Sequence, residues 1–293
     1  MAIKRVGVVG SGIMGSGIAE TMAVHGFEVV LRSRAQSSAD GMVAGMEKSL
    51  AKQVERGKLA EADRDGALAR VTAVSDLGEL ASCDLVIESV VEDLGVKKHL
   101  FSELDRICPD ETVLATNTST LPVVEMAMET GRPDKVCGIH FFNPAPVMSL
   151  VEVVRPITAS DATMAIASGL AEACEKTPVV VKDQAGFIVN ALLFPYLNNA
   201  VRMLENGVAT RDDIDTAMKG GCGFPMGPLA LLDLVGLDTS VAILDALYDE
   251  FRDPNYATVP LLRRMVSAEL FGRKSGKGFY DYSDPNNPKA NAL

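Results

Sequence analysis

The chain has 293 residues and a net charge of −11, with 47% hydrophobic, 23% charged and 5% aromatic residues. That length suggests about two domains of roughly 150 residues each, and the composition excludes disordered, collagen-like and fibrous classes. The acidic balance argues against general nucleic-acid or anionic-membrane binding, and short apolar runs such as 191–194 fall well below the roughly 20 residues of a membrane-crossing helix.

In chain order, residues 4–31 read as strand (4–9), glycine turn (10–15), helix (16–25) and strand (27–31), a βαβ unit. Residues 36–70 are rich in Ala, Lys, Glu and Leu without proline, which predicts a helical insertion. Short apolar runs at 85–87, 113–115, 136–142, 150–154 and 179–181 then alternate with helical patterns at 94–107, 122–129 and 160–176. Such alternation predicts a mostly parallel sheet covered on both faces. Strand signals stop after Lys182, and helices are expected at 185–206, 210–219, 228–251 and 258–270, with a kink at Pro195. The predicted organisation is α/β: a sheet domain over 1–183 followed by an all-α domain over 184–293. A frayed tail is expected after Tyr282, around Pro285 and Pro288.

The segment Gly10-Ser11-Gly12-Ile13-Met14-Gly15 is a G-x-G-x-x-G between a strand and a helix, the context that makes it a dinucleotide-binding, Rossmann-type fingerprint. Gly10 permits the tight turn, Gly12 lets backbone approach a pyrophosphate, and Gly15 allows the helix to pack on the strand. A purely structural turn is the alternative. NAD-binding proteins usually place Asp or Glu at the end of the second strand to bind the ribose 2′-hydroxyl. Here Ser33 and Arg34 stand there, which removes repulsion toward a 2′-phosphate and adds donors. The residues therefore favour NADP(H), with NAD(H) possible; solvated loop arginines are the alternative.

Only three histidines are present. His25 falls at a helix C-terminus, where a cation meets the helix dipole, and His99 follows Lys97 and Lys98 on a charged helix. His140 ends an apolar strand and enters His140-Phe141-Phe142-Asn143-Pro144, and strand ends in such sheets bind ligands. A neutral imidazole there could take an alcohol proton as hydride leaves the same carbon. Glu152, a carboxylate within an apolar strand, is the candidate partner that would orient it. A core histidine satisfied by backbone and an exposed strand glutamate remain the alternatives.

Residues 1–60 hold eight basic and five acidic side chains, leaving 20 against 34 in the rest. Lys48, Lys52 and Arg56 recur every four residues, on one helical face with Ser49 beside them. Five scattered cysteines, without a C-x-x-C or a nearby histidine, predict reduced thiols and no metal site, and the absence of a signal-like apolar stretch predicts a cytoplasmic protein.

Together, residues 10–19 (GSGIMGSGIA), 117–121 (NTSTL), 140–148 (HFFNPAPVM), 150–154 (LVEVV), 186–190 (GFIVN), 225–228 (PMGP), 236–238 (GLD) and 272–280 (GRKSGKGFY) resemble the short-chain L-3-hydroxyacyl-CoA dehydrogenase family, especially its bacterial 3-hydroxybutyryl-CoA branch. The resemblance spans essentially the whole chain. It implies reversible hydride transfer between a short-chain (S)-3-hydroxyacyl-CoA and a nicotinamide cofactor. By the same resemblance His140 is the acid/base and Glu152 its orienting partner, while Ser119 and Asn190 contact the reacting thioester group or support the site. It further places Glu92, Lys97, Asn143 and Lys274 near the cofactor, and Ser49 and Arg56 against CoA, with Lys52 on the same face. On the residues alone, Glu92, Lys97 and Lys274 read as surface charges. The resemblance also implies an active site in the cleft between the domains and a homodimer formed through the C-terminal one. Two departures stand out: Ser33 replaces the acidic ribose-binding residue, and Thr120 replaces the second serine of the Asn-Thr-Ser-Ser run. A dehydrogenase of a free hydroxy acid and a dinucleotide-sensing protein without turnover are the rival readings.

Overall fold

The computed structural model describes residues 3–284 and 289–291. Pro285 and Pro288 of the expected tail lie outside the described residues. The chain forms two compact units, Met1–Gln184 and Ala185–Leu293.

In the first unit, eight strands form one sheet: β1 (Arg5–Val9), β2 (Glu28–Arg32), β3 (Val71–Val74), β4 (Leu85–Glu88), β5 (Val113–Thr116), β6 (Val136–Phe141), β7 (Leu150–Arg155) and β8 (Thr177–Lys182), in the order β3-β2-β1-β4-β5-β6-β7-β8. All neighbours are parallel except β6 and β7. Helices α1 (Ile13–Val24), α2 (Gln36–Glu55), α3 (Glu61–Ala69), α4 (Leu94–Ile107), α5 (Val123–Ala127) and α6 (Asp161–Ala173) connect them. β1, β4, β5 and β6 are buried almost throughout, as unbroken apolar runs require when both faces of a sheet are covered. Val6, Val8, Ile18, Met22, Leu31, Met46, Leu50, Ile87 and Ile139 belong to one core, each large aliphatic contributing about 1.5–3 kcal/mol by its burial. Ala39, Met42, Met46 and Leu50 form the buried stripe of α2 and leave its other face open. β3, which no apolar run announced, pairs with β2 at the sheet edge with a largely half-buried pattern.

The chain order reverses around β1, whose two neighbours are β2 and β4. Gly10 follows β1 with φ +139°, and a Cβ there would come within 2.1 Å of Ser89 O. Close approach therefore presses the glycine turn against the segment that leaves β4. This is the topological switch point at which open α/β sheets bind ligands.

In the second unit, α7 (Val189–Glu205), α8 (Arg211–Cys222), α9 (Pro228–Val235), α10 (Leu237–Phe251) and α11 (Pro260–Ser267) enclose a core that includes Phe194, Leu197, Leu232, Leu244, Leu262 and Phe279. α7 runs through Pro195 as one helix. The single helix expected over 228–251 is two, because Gly236 adopts φ +103° and ends α9. The unit is not wholly helical: β9 (Tyr280–Asp281) and β10 (Lys289–Ala290) form a short antiparallel ladder.

Candidate active site

β6 and β7 run antiparallel with His140 directly opposite Glu152, so the pair shares one sheet face. His140 Nδ1 lies 2.8 Å from Glu152 Oε2, and both residues are buried. On the other side of the ring, Nε2 is 3.1 Å from Ser119 Oγ. The Phe142 ring lies tilted beside the imidazole with centroids 4.6 Å apart. When Nδ1 carries the proton held by Glu152, Nε2 presents its lone pair toward Ser119, the state a general base needs.

Ser119 is positioned by carboxylates the sequence did not single out as a unit. Glu88 ends β4 and is fully buried. It accepts hydrogen bonds from Lys97 Nζ (2.6 Å), Val90 N (2.6 Å) and Thr116 Oγ1 (2.7 Å). Lys97, 1% exposed, also pairs with Glu92 at 3.2 Å. Its reading as a surface charge is overturned, because two glutamates draw this ammonium in beside the C-terminal end of β4. Glu92 in turn accepts from Ser119 N at 2.9 Å and from Thr118 Oγ1. Burial pushes the Glu92 carboxyl up, but the Lys97 ammonium and the hydrogen bonds from Thr118 and Ser119 outweigh it and hold the group below its usual range. Thr120 keeps a hydroxyl within 3.5 Å of Glu92. Asn117 Oδ1 accepts from Phe141 N at 2.8 Å, tying the end of β5 to the strand that bears His140.

The glycine turn fits a dinucleotide. No side chain caps α1 at Gly12, so the first N–H groups of the helix, including those of Ile13 and Met14, remain available to an anion. A Cβ on Gly12 would meet nothing within 4 Å, so the space beside its backbone is open, whereas a Cβ on Gly15 would strike Gly10 O at 2.4 Å. At the end of β2, Ser33 is buried with its N–H donating to Val74 O, and Arg34 is exposed. Arg32, by contrast, donates its Nε to Ser75 O.

A cleft of about 1040 Å³ opens beside this turn. It is lined by α1, by the loop 143–147 and by the open face of α2, including Lys48, Ser49, Lys52 and Arg56. Among the described residues none of the ion pairs involves these three cations, so the alternative of local pairing with Glu47 and Glu55 does not hold. Asn143 is exposed on the cleft loop, and Lys176 holds that loop by donating to Pro146 O and Met148 O.

In the second unit, Asn190 is buried in the first turn of α7. Lys274 forms an ion pair with Asp238. His25 caps α1 with Nδ1 2.7 Å from Thr21 O, and His99 is exposed near Glu103. Cys83, Cys108, Cys137 and Cys174 are buried free thiols, and Cys222 is exposed. Among the described residues no group of three or more His, Cys, Asp or Glu is placed to hold a metal ion, and no helix is long and apolar enough to cross a membrane.

The sheet order, the glycine turn at its switch point and a buried histidine–glutamate pair define a dinucleotide-dependent oxidoreductase. Residues 5–184 match the model of the 3-hydroxyacyl-CoA dehydrogenase NAD binding domain, and residues 186–282 that of the 3-hydroxyacyl-CoA dehydrogenase C-terminal domain. The chain belongs to the 3-hydroxyacyl-CoA dehydrogenase family. It is 46% identical to 3-hydroxybutyryl-CoA dehydrogenase from Clostridioides difficile, over 95% of this chain and 99% of that one. Identity to the 3-hydroxybutyryl-CoA dehydrogenase of Mycobacterium tuberculosis is 48%, over 96% and 99%. The crystal structure of (S)-3-hydroxybutyryl-CoA dehydrogenase PaaH1 from Ralstonia eutropha superposes with a TM-score of 0.94 at 41% identity, covering 97% of this chain and all of that one.

Proposed function

We propose that this enzyme interconverts (S)-3-hydroxybutyryl-CoA and acetoacetyl-CoA in the cytoplasm, with His140 moving the hydroxyl proton. The observation that carries this reading is the buried His140–Glu152 pair, whose second ring nitrogen, Nε2, lies 3.1 Å from Ser119 Oγ. A bound nicotinamide would supply or accept the hydride. The chain supplies the rest. Glu152 holds Nδ1–H, which fixes the tautomer and stabilises the imidazolium formed when Nε2 takes the alcohol proton. In the reductive direction Nε2–H returns that proton to the oxygen at C3. Ser119 Oγ and the Asn190 amide are assigned to donate to substrate oxygens and hold the reacting carbon in place. Gly10, Gly12, Ile13, Met14 and Gly15 are assigned to the cofactor pyrophosphate. Glu92 and Lys97 order the loop beside the cofactor, and Asn143 and Lys274 complete the contacts assigned to it.

Ser33 and Arg34 favour NADP(H): no carboxylate stands at the end of β2, and the exposed Arg34 has no internal ion-pair partner among the described residues. Ser49, Lys52 and Arg56 are assigned to the CoA chain because the cleft's unpaired cations match its phosphates. A homodimer through the second unit is supported by exposed apolar side chains there, among them Leu192, Val208 and Leu234. The test is reduction of acetoacetyl-CoA and of free acetoacetate, with NADPH and NADH in parallel. Turnover of the CoA thioester with higher kcat/KM for NADPH is expected. Preference for free acetoacetate would contradict the substrate reading, and preference for NADH would contradict the cofactor reading alone.

A further inference from the structure

The cationic cleft of the first unit contains one carboxyl group. Glu20, on α1, is 4% exposed and lines the cleft together with Ser49 and Gln53 of α2. Its Oε1 accepts two hydrogen bonds, from Ser49 Oγ at 3.0 Å and from Gln53 Nε2 at 2.8 Å. The two donors stand four residues apart and therefore on one helical face.

A serine hydroxyl has one proton and two lone pairs. Because the Ser49 proton points at Glu20, only lone pairs remain for anything that enters the cleft. Burial pushes the Glu20 carboxyl up, and the hydrogen bonds from Ser49 and Gln53 pull it back. A proton on this carboxyl would sit on Oε2, so Oε1 accepts from Ser49 in either protonation state.

We propose that Glu20 is a positioning residue that fixes the Ser49 hydroxyl as an acceptor, so that the CoA chain meets Ser49 with an N–H donor and not with a phosphate oxygen. Two groups of CoA carry such donors, the pantetheine amides and the adenine amine. The inference rests on the acyl-CoA reading given above. It divides the cleft by polarity: Lys48, Lys52 and Arg56 offer donors and positive charge to phosphates, whereas a serine lone pair facing a phosphate oxygen would repel it. It also gives Gln53 a purpose, since its second bond to Oε1 keeps the carboxyl turned toward α2.

The experiment measures kcat and KM for acetoacetyl-CoA and for acetoacetyl-pantetheine, which keeps the amides but lacks the nucleotide and its phosphates. It uses wild type, Glu20→Met, Glu20→Gln, Ser49→Ala and the Glu20→Met/Ser49→Ala pair. Loss of the ligand hydrogen bond predicts that Ser49→Ala raises KM for acetoacetyl-CoA about five- to tenfold with kcat retained. Glu20→Met, which keeps the Ser49 lone pairs but releases the hydroxyl proton to turn on the ligand, should raise it about two- to fivefold. In the pair Glu20→Met should add nothing to Ser49→Ala, because Glu20 acts through Ser49. Glu20→Gln, whose amide oxygen still accepts from Ser49, should hold KM within about twofold of wild type. A rise that persists on the pantetheine thioester assigns the donor to a pantetheine amide, and one confined to the CoA thioester assigns it to the adenine amine. If Glu20→Met does not fold by thermal melting, Glu20→Asp, which withdraws the carboxylate by one methylene, takes its place with the same expectation. Unchanged KM, or effects that multiply in the pair, would overturn the role of Glu20 while leaving the acyl-CoA reading intact. A wild type that turns over neither thioester would overturn both.

Discussion

Two regions of the first unit treat charge in opposite ways. Around Ser119, the buried Glu88 and Lys97 and the surface Glu92 satisfy one another, and every one of them has a partner within 3.2 Å. Along the cleft, Lys48, Lys52 and Arg56 are exposed and make no ion pair among the described residues, and Arg34 at the end of β2 behaves likewise. Internally paired charge fixes the geometry of the reacting centre, while unpaired charge is left for a ligand. A group of the first kind should therefore act on stability and kcat when changed, and a group of the second kind on KM.

The sharpest way to break this contrast is Lys97→Met, which leaves Glu88 buried and uncompensated. Removing one partner of a buried pair costs about 3–5 kcal/mol, so urea denaturation should show a loss of that size along with a lower kcat. A loss below about 1 kcal/mol would mean that Lys97 is not what neutralises Glu88.

The second unit sharpens the comparison because its buried carboxylates are met by neutral donors. Asp233 accepts from Phe279 N (2.9 Å), Tyr280 N (2.8 Å) and Tyr282 OH (3.0 Å), and burial pushes its carboxyl up to about 6. An acid whose folded pKa lies above its unfolded value of about 3.9 gives a stability contribution that is complete below pH 4 and lost as pH rises through 6. The size is about 3 kcal/mol. Urea melts at pH 5 and pH 7.5 should show about half of this loss, the rest having occurred between pH 4 and 5, and Asp233→Asn should remove that part of the slope while lowering stability at both pH values.

Smaller effects are expected among the unpaired groups. Ser33→Asp places a carboxylate where a 2′-phosphate would lie, and should lower the NADPH to NADH ratio of kcat/KM by about tenfold or more. An unchanged ratio would separate this position from cofactor choice. Lys48→Ala or Lys52→Ala should raise KM for acetoacetyl-CoA about two- to fivefold, with stability within about 0.5 kcal/mol of wild type. The effect should shrink as salt screens the cleft.

Much of this arrangement was legible in the sequence where the signal is local. The glycine turn could be read because strand, turn and helix follow one another directly, and α4 because a helical pattern over 94–107 separates two short apolar runs. The cationic face of α2 followed from a spacing of four. Signals that depend on distant partners were not legible. Lys97 sits in a Lys-Lys-His run that reads as solvated, and its burial is explained by Glu88, from a separate strand, together with Glu92. Glu20 belongs to an otherwise small and apolar helix, and its partners lie 29 and 33 residues further on. β3 carries a largely half-buried pattern and the β9–β10 ladder spans two residues per strand, too weak a periodicity to mark either. The break at Gly236 was hidden because the apolar pattern continues on both sides of a residue whose positive φ only the fold reveals.

The most direct test of the central claim compares His140→Ala and Glu152→Gln with wild type in acetoacetyl-CoA reduction, alongside cofactor affinity measured by quenching or enhancement of nicotinamide fluorescence. Loss of a general acid/base and of its orienting carboxylate should lower kcat by about 10²- to 10⁴-fold in each variant, with cofactor affinity nearly unchanged. Retained kcat together with weakened cofactor binding would contradict the assignment of His140 and Glu152 to proton transfer.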